Sequence, residues 1–428
     1  MEAKSSMHIL IVGGGIGGLG LAQYLKKAGI SFSIFERDRS PTDRLQGYRL
    51  HISPQGSQAL FHCLPDSLFN LFVSTCGKPG SGFRMISHQR EELFFLPTDL
   101  NRDPRESHHS ASRITLRQIL LSGLEENIHF DRKFSRYSLE PDGRVKAWFE
   151  DGSSATGDLL VGADGVNSQV RQALLPDARI TDTGVLGIAG KVPLTGEFNE
   201  FDGANMVSGP NGDGLFIARQ EFASPQFPSN RSDLAEMGSE KAKDFLFDNT
   251  KSYLFWAYSA EKESFPKIVT DPRVSPEQLF ESVVEKIRPW HSSFRNLIAH
   301  TDRSTVSLWK IRTSLPVEPW TTNAITLLGD AIHSMTPFRG IGANIALQDA
   351  QVLGQKLIAV TLGEKTLLGG VHEFESEMLD YGFSAVRASL RALEQTIKRR
   401  SKAEKMIQKA VLRTLNHLPT RLKGRLFA

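Results

Sequence analysis

Two cysteines in 428 residues, Cys63 and Cys76, cannot staple a chain of this size. A disulfide scaffold is excluded, and a reducing, cytoplasmic setting is expected. No uninterrupted apolar run approaches the roughly 20 residues of a spanning helix. The early run HILIV breaks on glycines, so no secretory leader is expected. Net charge is slight, +3, while 40% of the residues are apolar, which excludes a disordered chain. No repeat with a period of about 20–50 residues is present. No metal-ligand spacing and no Cys-x-x-Cys pair occur, so neither a metal centre nor a dithiol redox site is expected. What remains is enough chain for two or three domains, at roughly 150 residues each.

The small net charge hides an uneven distribution. From Ile397 to Ala428 there are ten Lys and Arg against Glu404 alone, about +9 by formal counting, which leaves the preceding residues near −6. Ala403, Ile407, Ala410, Thr414 and Leu418 fall on one helical stripe, with Met406, Val411 and Leu415 beside it. This pattern allows a helix lying on an anionic membrane surface. The preferred reading is a terminal helix laid on the body with its basic face in water. No nucleic-acid module matches, so no nucleic-acid partner is expected.

The rest of the pattern is strand, glycine turn and helix. Met7–Val12 suits a buried parallel strand, Leu21–Lys27 a helix stopped by Gly29, and Phe32–Glu36 a second strand. Ser112 is placed to cap a helix running to Leu124. From about Gly184 to Trp320, aromatic and β-branched runs alternate with polar loops, which predicts an inserted antiparallel sheet. The Pro, Ser and Asn rich stretch Ser224–Ser239 reads as a loop. Ala324–Asp330 returns to a buried strand, followed by a helix from about Asn344 to Thr361.

Three motifs carry chemistry. Gly13-x-Gly15-x-x-Gly18 follows a strand and opens a helix, with Glu36 ending the next strand. The glycines permit a tight turn and close backbone approach to a pyrophosphate, and the carboxylate can take a ribose diol. The second motif is Gly162-Ala163-Asp164-Gly165, with Ser168 and Arg171; by itself it could be only a turn. The third runs from Gly329 to Ala350. Its Asp330 can accept from sugar-alcohol hydroxyls, and Gly340, Gly342 and Ala343 lead into a helix whose N–H groups can face a ring carbonyl.

In this order and separation the three motifs resemble the FAD-dependent group A flavoprotein monooxygenases of the para-hydroxybenzoate hydroxylase fold, from about Met7 to Leu357. The resemblance implies an α/β fold: an FAD-binding, Rossmann-like (GR2-type) domain with an inserted, mostly antiparallel β-sheet substrate domain and a C-terminal helix. The expected divisions are 1–183 and 321–370 for the FAD domain, 184–320 for the substrate domain (shared with parts of 45–110), and 371–428 for the helical end. FAD is the implied cofactor and NAD(P)H the implied co-substrate. O2 and a small aromatic or polyene-like molecule are the implied partners, reacting through a flavin C4a-hydroperoxide to give a hydroxylated or epoxidised product. The resemblance assigns Gly13, Gly15 and Gly18 to the ADP part of FAD and Glu36 to its adenosine ribose, with Arg37 also in the cofactor-binding set. Arg113 is assigned near the pyrophosphate and ribityl chain, and Asp330 to the ribityl chain. Asp164 and Gly165 are associated with both FAD and NAD(P)H. Gly47 and Arg49, in Leu45–Leu50, match a loop beside the flavin, and Pro337, Gly340, Gly342, Ala343 and Asn344 complete the cofactor set. Where the family often has Gly-Gln-Gly, this chain has Gly340-Ile341-Gly342, which keeps the backbone donors but removes a polar side chain.

Substrate-side candidates are fewer. Arg49, Arg219 and Arg312 are the arginines able to hold an anionic or phenolate group, and Phe216, Trp256 and Tyr258 lie on strands that could face a flavin. Arg49 and Arg312 read equally as solvated surface, and Phe216, Arg219, Trp256 and Tyr258 read first as packing or surface. His333 reads as structural or flavin-adjacent, with no partner in sequence for a proton relay. Alternatives are a flavin-dependent reductase or halogenase on the same scaffold, or a flavin-binding partner without turnover. The stretch Leu308-Trp309-Lys310-Ile311 lacks the halogenase Trp-x-Trp-x-Ile-Pro segment.

Overall fold

The computed structural model describes residues 7–41, 43, 47–99, 102–222, 251–420 and 422–423. The loop expected at Ser224–Ser239, and Leu45 and Gln46 of the flavin-side segment, lie outside them. The first βαβ unit is β1 (His8–Val12), α1 (Ile16–Lys27) and β2 (Ser31–Phe35). Then come β3 (Arg49–Ile52), α2 (Pro54–Cys63), α3 (Asp66–Thr75), β4 (Gly82–Ser87), β5 (Glu92–Pro97), β6 (His109–Ser112), α4 (Arg113–Leu121) and β7 (Ile128–His129). An antiparallel trio, β8 (Phe134–Leu139), β9 (Val145–Phe149) and β10 (Ser154–Gly157), leads to β11 (Leu159–Gly162) and α5 (Gln169–Leu174). The long strands β12 (Ile180–Pro193), β13 (Ala204–Ser208), β14 (Asp213–Gln220) and β15 (Tyr253–Glu261) precede α6 (Pro276–Ile287), α7 (Ser292–Ala299) and β16 (Asp302–Ser314). Last come β17 (Ile325–Leu327), α8 (Asp330–His333), α9 (Gly342–Thr361), α10 (Leu367–Ile397) and α11 (Lys402–Asn416).

The continuous apolar runs became a parallel sheet buried on both faces, ordered β17-β11-β1-β2-β7. Val12 lies opposite Gly162, and Gly162 opposite Leu327. Three motifs far apart in sequence therefore end on neighbouring strands at one sheet edge, where α/β folds bind ligands. The first helix begins at Ile16, five residues earlier than its apolar pattern suggests, and α9 begins two residues earlier. Small residues explain the extension of α1: a side chain at Gly17 would press on Leu328 and Ala346, and one at Gly20 on Leu347.

The inserted texture became a seven-stranded sheet ordered β16-β12-β15-β14-β13-β4-β5, antiparallel except where β13 meets β4. Alternation gives it two faces. Leu254, Trp256 and Tyr258 pack with Leu215, Ile217 and the helices α6 and α7. Tyr253 and Phe255 face the other way, with Phe216 and Trp309 beside them. The 31-residue α10 joins the layers: Val371, Phe374 and Met378 belong to the core of the parallel sheet, while Leu393 and Ile397 pack on Val185 and Ile311.

The C-terminal helix corrects one expectation. It is laid on the body, but its basic face is not simply in water. Leu412 is buried against Leu93 and Phe94, while Lys409 and Arg413 both pair with Glu91. Met406, Ile407 and Val411 point outward instead.

Candidate active site

The phosphate turn is shaped by steric necessity. Gly13 has φ +114°, and a Cβ on it would overlap the carbonyl of Ala163. A Cβ on Gly18 would overlap the carbonyl of Gly13, so only glycine lets α1 sit this close to β1. In front of Gly15, the N-cap of α1, there is open space. Unpaired N–H groups at a helix start and a clear approach suit an anion. Glu36 is buried; one carboxylate oxygen accepts from Gly14 N at 2.6 Å and the other from Asp38 N at 2.9 Å. Each oxygen keeps a lone pair for a hydroxyl. Arg37, next along, is exposed.

Arg117, which the sequence reading missed, guards this turn. Its Nε donates to Gly14 O at 3.0 Å and its Nη1 to Pro41 O at 2.8 Å. Its Nη2 is buried with no partner among the described residues. A guanidinium fixed at two points with one idle donor is suited to a phosphate oxygen. Its only sequence signal was its spacing, one helical turn after Arg113.

The third motif forms the opposite lip. Asp330 opens α8; its carboxyl is accessible, yet burial raises its pKa against the opposing pull of His333 and Arg113. Accessible and desolvated together describe a carboxylate on the wall of a deep cleft. The positive charge of exposed Arg113 reaches Asp330. Gly340 is left-handed, φ +62°, and turns the short 3-10 segment Pro337–Arg339 into α9. Gly342 opens onto Asp330: a Cβ there would lie 4.0 Å from Asp330 Oδ1. Pro337 is exposed, and Ala343 sits in the first turn of α9 beside Asn344. The Asn344 side chain is fully used inside the protein. Its Nδ2 donates to His51 O (3.0 Å) and Gly340 O (3.2 Å), and its Oδ1 accepts from Ser53 N at 2.8 Å. It is a pin holding β3 to the third motif, so only its backbone is left for a cofactor.

His333 acquires the partner that sequence could not show. Its Nε2 lies 2.7 Å from Asp349 Oδ2, which also accepts from Gly329 N at 2.7 Å, and Tyr381 Oη donates to Asp349 Oδ1 at 2.7 Å. Burial opposes protonation of His333, but the Asp349 carboxylate outweighs it and carries the imidazole above its ordinary value. This buried network braces the turn that carries Asp330.

The second motif is braced likewise. Asp164 accepts from Ser168 Oγ at 2.5 Å and from Gln169 N at 2.7 Å, at the start of α5. Burial still raises its pKa. Its carboxylate thus serves α5. Arg171 clamps the motif to the third by donating to Ala331 O at 2.8 Å.

Between the two layers runs β3, just after Gly47. Tyr48 packs edge-on to Phe255 (5.7 Å) and Trp309 (5.0 Å), and its hydroxyl is hydrogen-bonded to Ser307. Arg49 is desolvated, which pushes its pKa down to about 10, and its Nε has no partner among the described residues. His51 is held neutral, pushed down to about 3 by burial and the charge of Arg49, with Nε2 2.9 Å from His108 Nδ1. The site therefore has a glycine and carboxylate lip, a half-buried, desolvated cation on β3, and an aromatic wall of Tyr48, Phe216, Phe255 and Trp309.

Four residues read from sequence fall away from it. Arg219 shares the α6/α7 face of the sheet with Ile217, tied to Glu221 (3.1 Å) and Asn199 (3.0 Å). Arg312 is exposed and donates to Asn167 Oδ1 at 3.3 Å. Trp256 donates to Thr301 and Tyr258 to Asp213, inside the core beneath the sheet. Odd positions of β15 reach the cleft and even ones do not.

Comparison with known proteins agrees with this geometry. Residues 102–369 match the FAD binding domain family, and residues 11–66 the NAD(P)-binding Rossmann-like domain. The dual O-methyltransferase/FAD-dependent monooxygenase CTB3 of Cercospora beticola is 31% identical over 408 residues, 88% of this chain and 44% of that protein. The chain thus spans less than half the length of the first curated relatives it matches. The FAD-dependent monooxygenase thnD of Trichoderma harzianum is 27% identical over 413 residues, 90% of this chain and 92% of its own. A solved structure from Photorhabdus luminescens subsp. laumondii TTO1, assigned as an FAD-containing monooxygenase, superposes with a TM-score of 0.79. It is 34% identical and covers 92% of this chain and 99% of that one. The fold and the site define a flavoprotein with a Rossmann-like FAD domain and a sheet-built second layer. The chain belongs to the FAD-binding family of the FAD-dependent monooxygenases, and its cofactor is FAD.

Proposed function

We propose that the chain uses NAD(P)H and O2 to place one oxygen atom on an aromatic or polyene-like small molecule. The observation that carries this reading is the aromatic wall beside a half-buried arginine on β3, the strand that Asn344 pins to the glycine and carboxylate lip. Glu36 and Arg117 hold the adenosine ribose and the pyrophosphate, Asp330 the ribityl hydroxyls, and the backbone of Gly340–Ala343 the ring edge. Bound FAD supplies electron uptake from NAD(P)H and transfer of one atom of O2, the other leaving as water.

The remaining work belongs to the chain. Tyr48, Phe216, Phe255 and Trp309 exclude water and stack a planar substrate. Arg49 stays cationic at neutral pH and its idle Nε–H donates to a phenolate or carbonyl oxygen, fixing which carbon faces the flavin. Neutral His51 adds a hydrogen-bonding group without competing for that anion.

The test is reconstitution of the apoprotein with FAD, followed by NADH and NADPH oxidation in the presence of phenols and polyene-like compounds. The expected result is a yellow protein whose NAD(P)H oxidation rises at least about tenfold with a suitable aromatic ligand, with oxygenated product. Failure to retain FAD, or a basal rate unmoved across the ligand set, overturns the reading.

A further inference from the structure

The C-terminal helix is built the opposite way round from an ordinary surface helix. Its inner side is a mixed apolar and polar seat on the edge strand β5. Leu412 is buried with Leu93 and Phe94, Phe95 N donates to Asn416 Oδ1 at 2.9 Å, and Lys405 donates to Pro210 O at 2.5 Å. Glu91 takes both Lys409 and Arg413. These contacts fix the rotation of the helix. Ser401 and Glu404 close a capping box at its start, which fixes where it begins.

That rotation turns an apolar stripe to solvent. Met406 is 72% exposed, Ile407 64% and Val411 51%, with the small exposed residues Ala403, Ala410 and Thr414 between them. Scattered exposed apolar residues are normal, but a contiguous stripe along one helix face is a docking surface. The charge says what covers it. Residues 398–416 carry seven Lys and Arg against Glu404, about +6 by formal counting, and Glu91 and Glu261, the latter through Arg399, offset only two of them. Arg413 and Lys409 run along one flank of the stripe, and Lys398 and Arg399 lie exposed just before the helix.

A second copy of the chain is a poor partner for this face, because two-fold pairing would bring two such cationic segments together within a Debye length. An anionic lipid surface supplies the missing opposite charge and an apolar layer into which a stripe of this width can sink. Among the described residues no helix is long and apolar enough to cross a membrane, so the contact is one of lying on the surface. We propose that α11 docks the protein on anionic membranes through Met406, Ile407 and Val411, with its flanking lysines and arginines at the headgroups. A surface-held enzyme would meet lipophilic substrates where they concentrate, but the docking does not depend on the proposed chemistry.

The test is sedimentation of the FAD-loaded full chain with vesicles of phosphatidylcholine alone and of phosphatidylcholine with about one-third phosphatidylserine. Binding to the serine vesicles is expected to be at least about tenfold tighter and to weaken as salt rises. Ile407→Glu with Val411→Glu should abolish it while leaving FAD content and Tm unchanged, since both side chains are solvent-facing. Equal binding to both vesicles, no binding to either, or undiminished binding of the double variant overturns the proposal. A dimer in solution that the double variant dissociates overturns it too, by assigning the face to a second copy.

Discussion

Asp330 carries the sharpest single-residue expectation. It stands on the cleft wall with its charge opposed by burial and drawn out by Arg113 and His333. Hydrogen bonds to a charged group contribute about 1.5–3 kcal/mol. Asp330→Ala should therefore raise the Kd for FAD roughly ten- to a hundredfold, read by quenching of flavin fluorescence on titrating apoprotein. An unchanged Kd would remove Asp330 from the cofactor site. His333 gives a pH signature. Its folded pKa lies above the ordinary 6.5, so its stabilisation is full below that pH and fades as pH rises through the raised value. The groups around it leave this window clear: burial raises the Asp330 carboxyl from a much lower start, and burial and Asp349 raise Tyr381 from an already high one. Denaturant unfolding of the wild type should lose stability on going above pH 6.5, and His333→Gln should flatten that loss. Parallel pH profiles for the two proteins would show that His333 is not charged in the fold. Sequence could not show this pairing. Asp349 lies 16 residues from His333, and Tyr381 lies 32 from Asp349, so only the packing of α8, α9 and α10 joins them. Asp164 shows the converse, since its motif was visible but its commitment to capping α5 was not.

Elements whose signals are local were the legible ones. The glycine turn, Ser112 as the cap of α4 and the stop at Gly29 follow from neighbours in the chain. Two glycines of that turn make separable claims. A Cβ on Gly18 would overlap backbone, which cannot yield, whereas one on Gly15 meets nothing within 4 Å. Gly18→Ala should cost about 1–3 kcal/mol or more of stability and lower Tm with or without cofactor. Gly15→Ala should leave the apoprotein Tm in place and weaken FAD binding, because its methyl fills the space meant for a phosphate. If both variants behave alike in calorimetry and in FAD titration, the open space before Gly15 has no bearing on the cofactor. The orientation of α11 belongs with the illegible features. Its stripe was visible, but the side turned inward was decided by Glu91, just before β5, and by Leu93 and Phe94 on it, more than 300 residues earlier. The faces of β14 and β15 were hidden for the same reason. Alternation marks two faces in the sequence, but only the packing of α6 and α7 says which is the core, and that excludes Arg219, Trp256 and Tyr258 from the cleft.

At the scale of the molecule, the question is what keeps a Rossmann-like layer and a seven-stranded sheet at a fixed separation, since the cleft between them is the site. Tyr48 spans it through Phe255, Trp309 and Ser307, and Asn344 holds β3 to the FAD layer. The larger brace is α10. Its first half is part of the core of the parallel sheet, and its last two turns place Leu393 and Ile397 against Val185 on β12 and Ile311 on β16. The far end is seated closely: a Cβ on Gly214 would lie 2.9 Å from Thr396. A helix this long is stiff, so strain or loosening at one layer is carried to the other. Flavin release and loss of secondary structure should accordingly coincide on heating, because the sheet cannot drift from the FAD layer while α10 is seated. Leu393→Ala removes the buried side chain at that seat and should cost about 2–5 kcal/mol. Its effect should be uneven. The parallel sheet keeps its own core and FAD contacts, while the seven-stranded sheet loses its brace. Flavin fluorescence and far-UV circular dichroism should then report separate transitions in Leu393→Ala and a single one in the wild type. Coincident transitions in the variant would mean that β3 and its aromatic contacts, without the strap, suffice to hold the two layers as one cooperative unit.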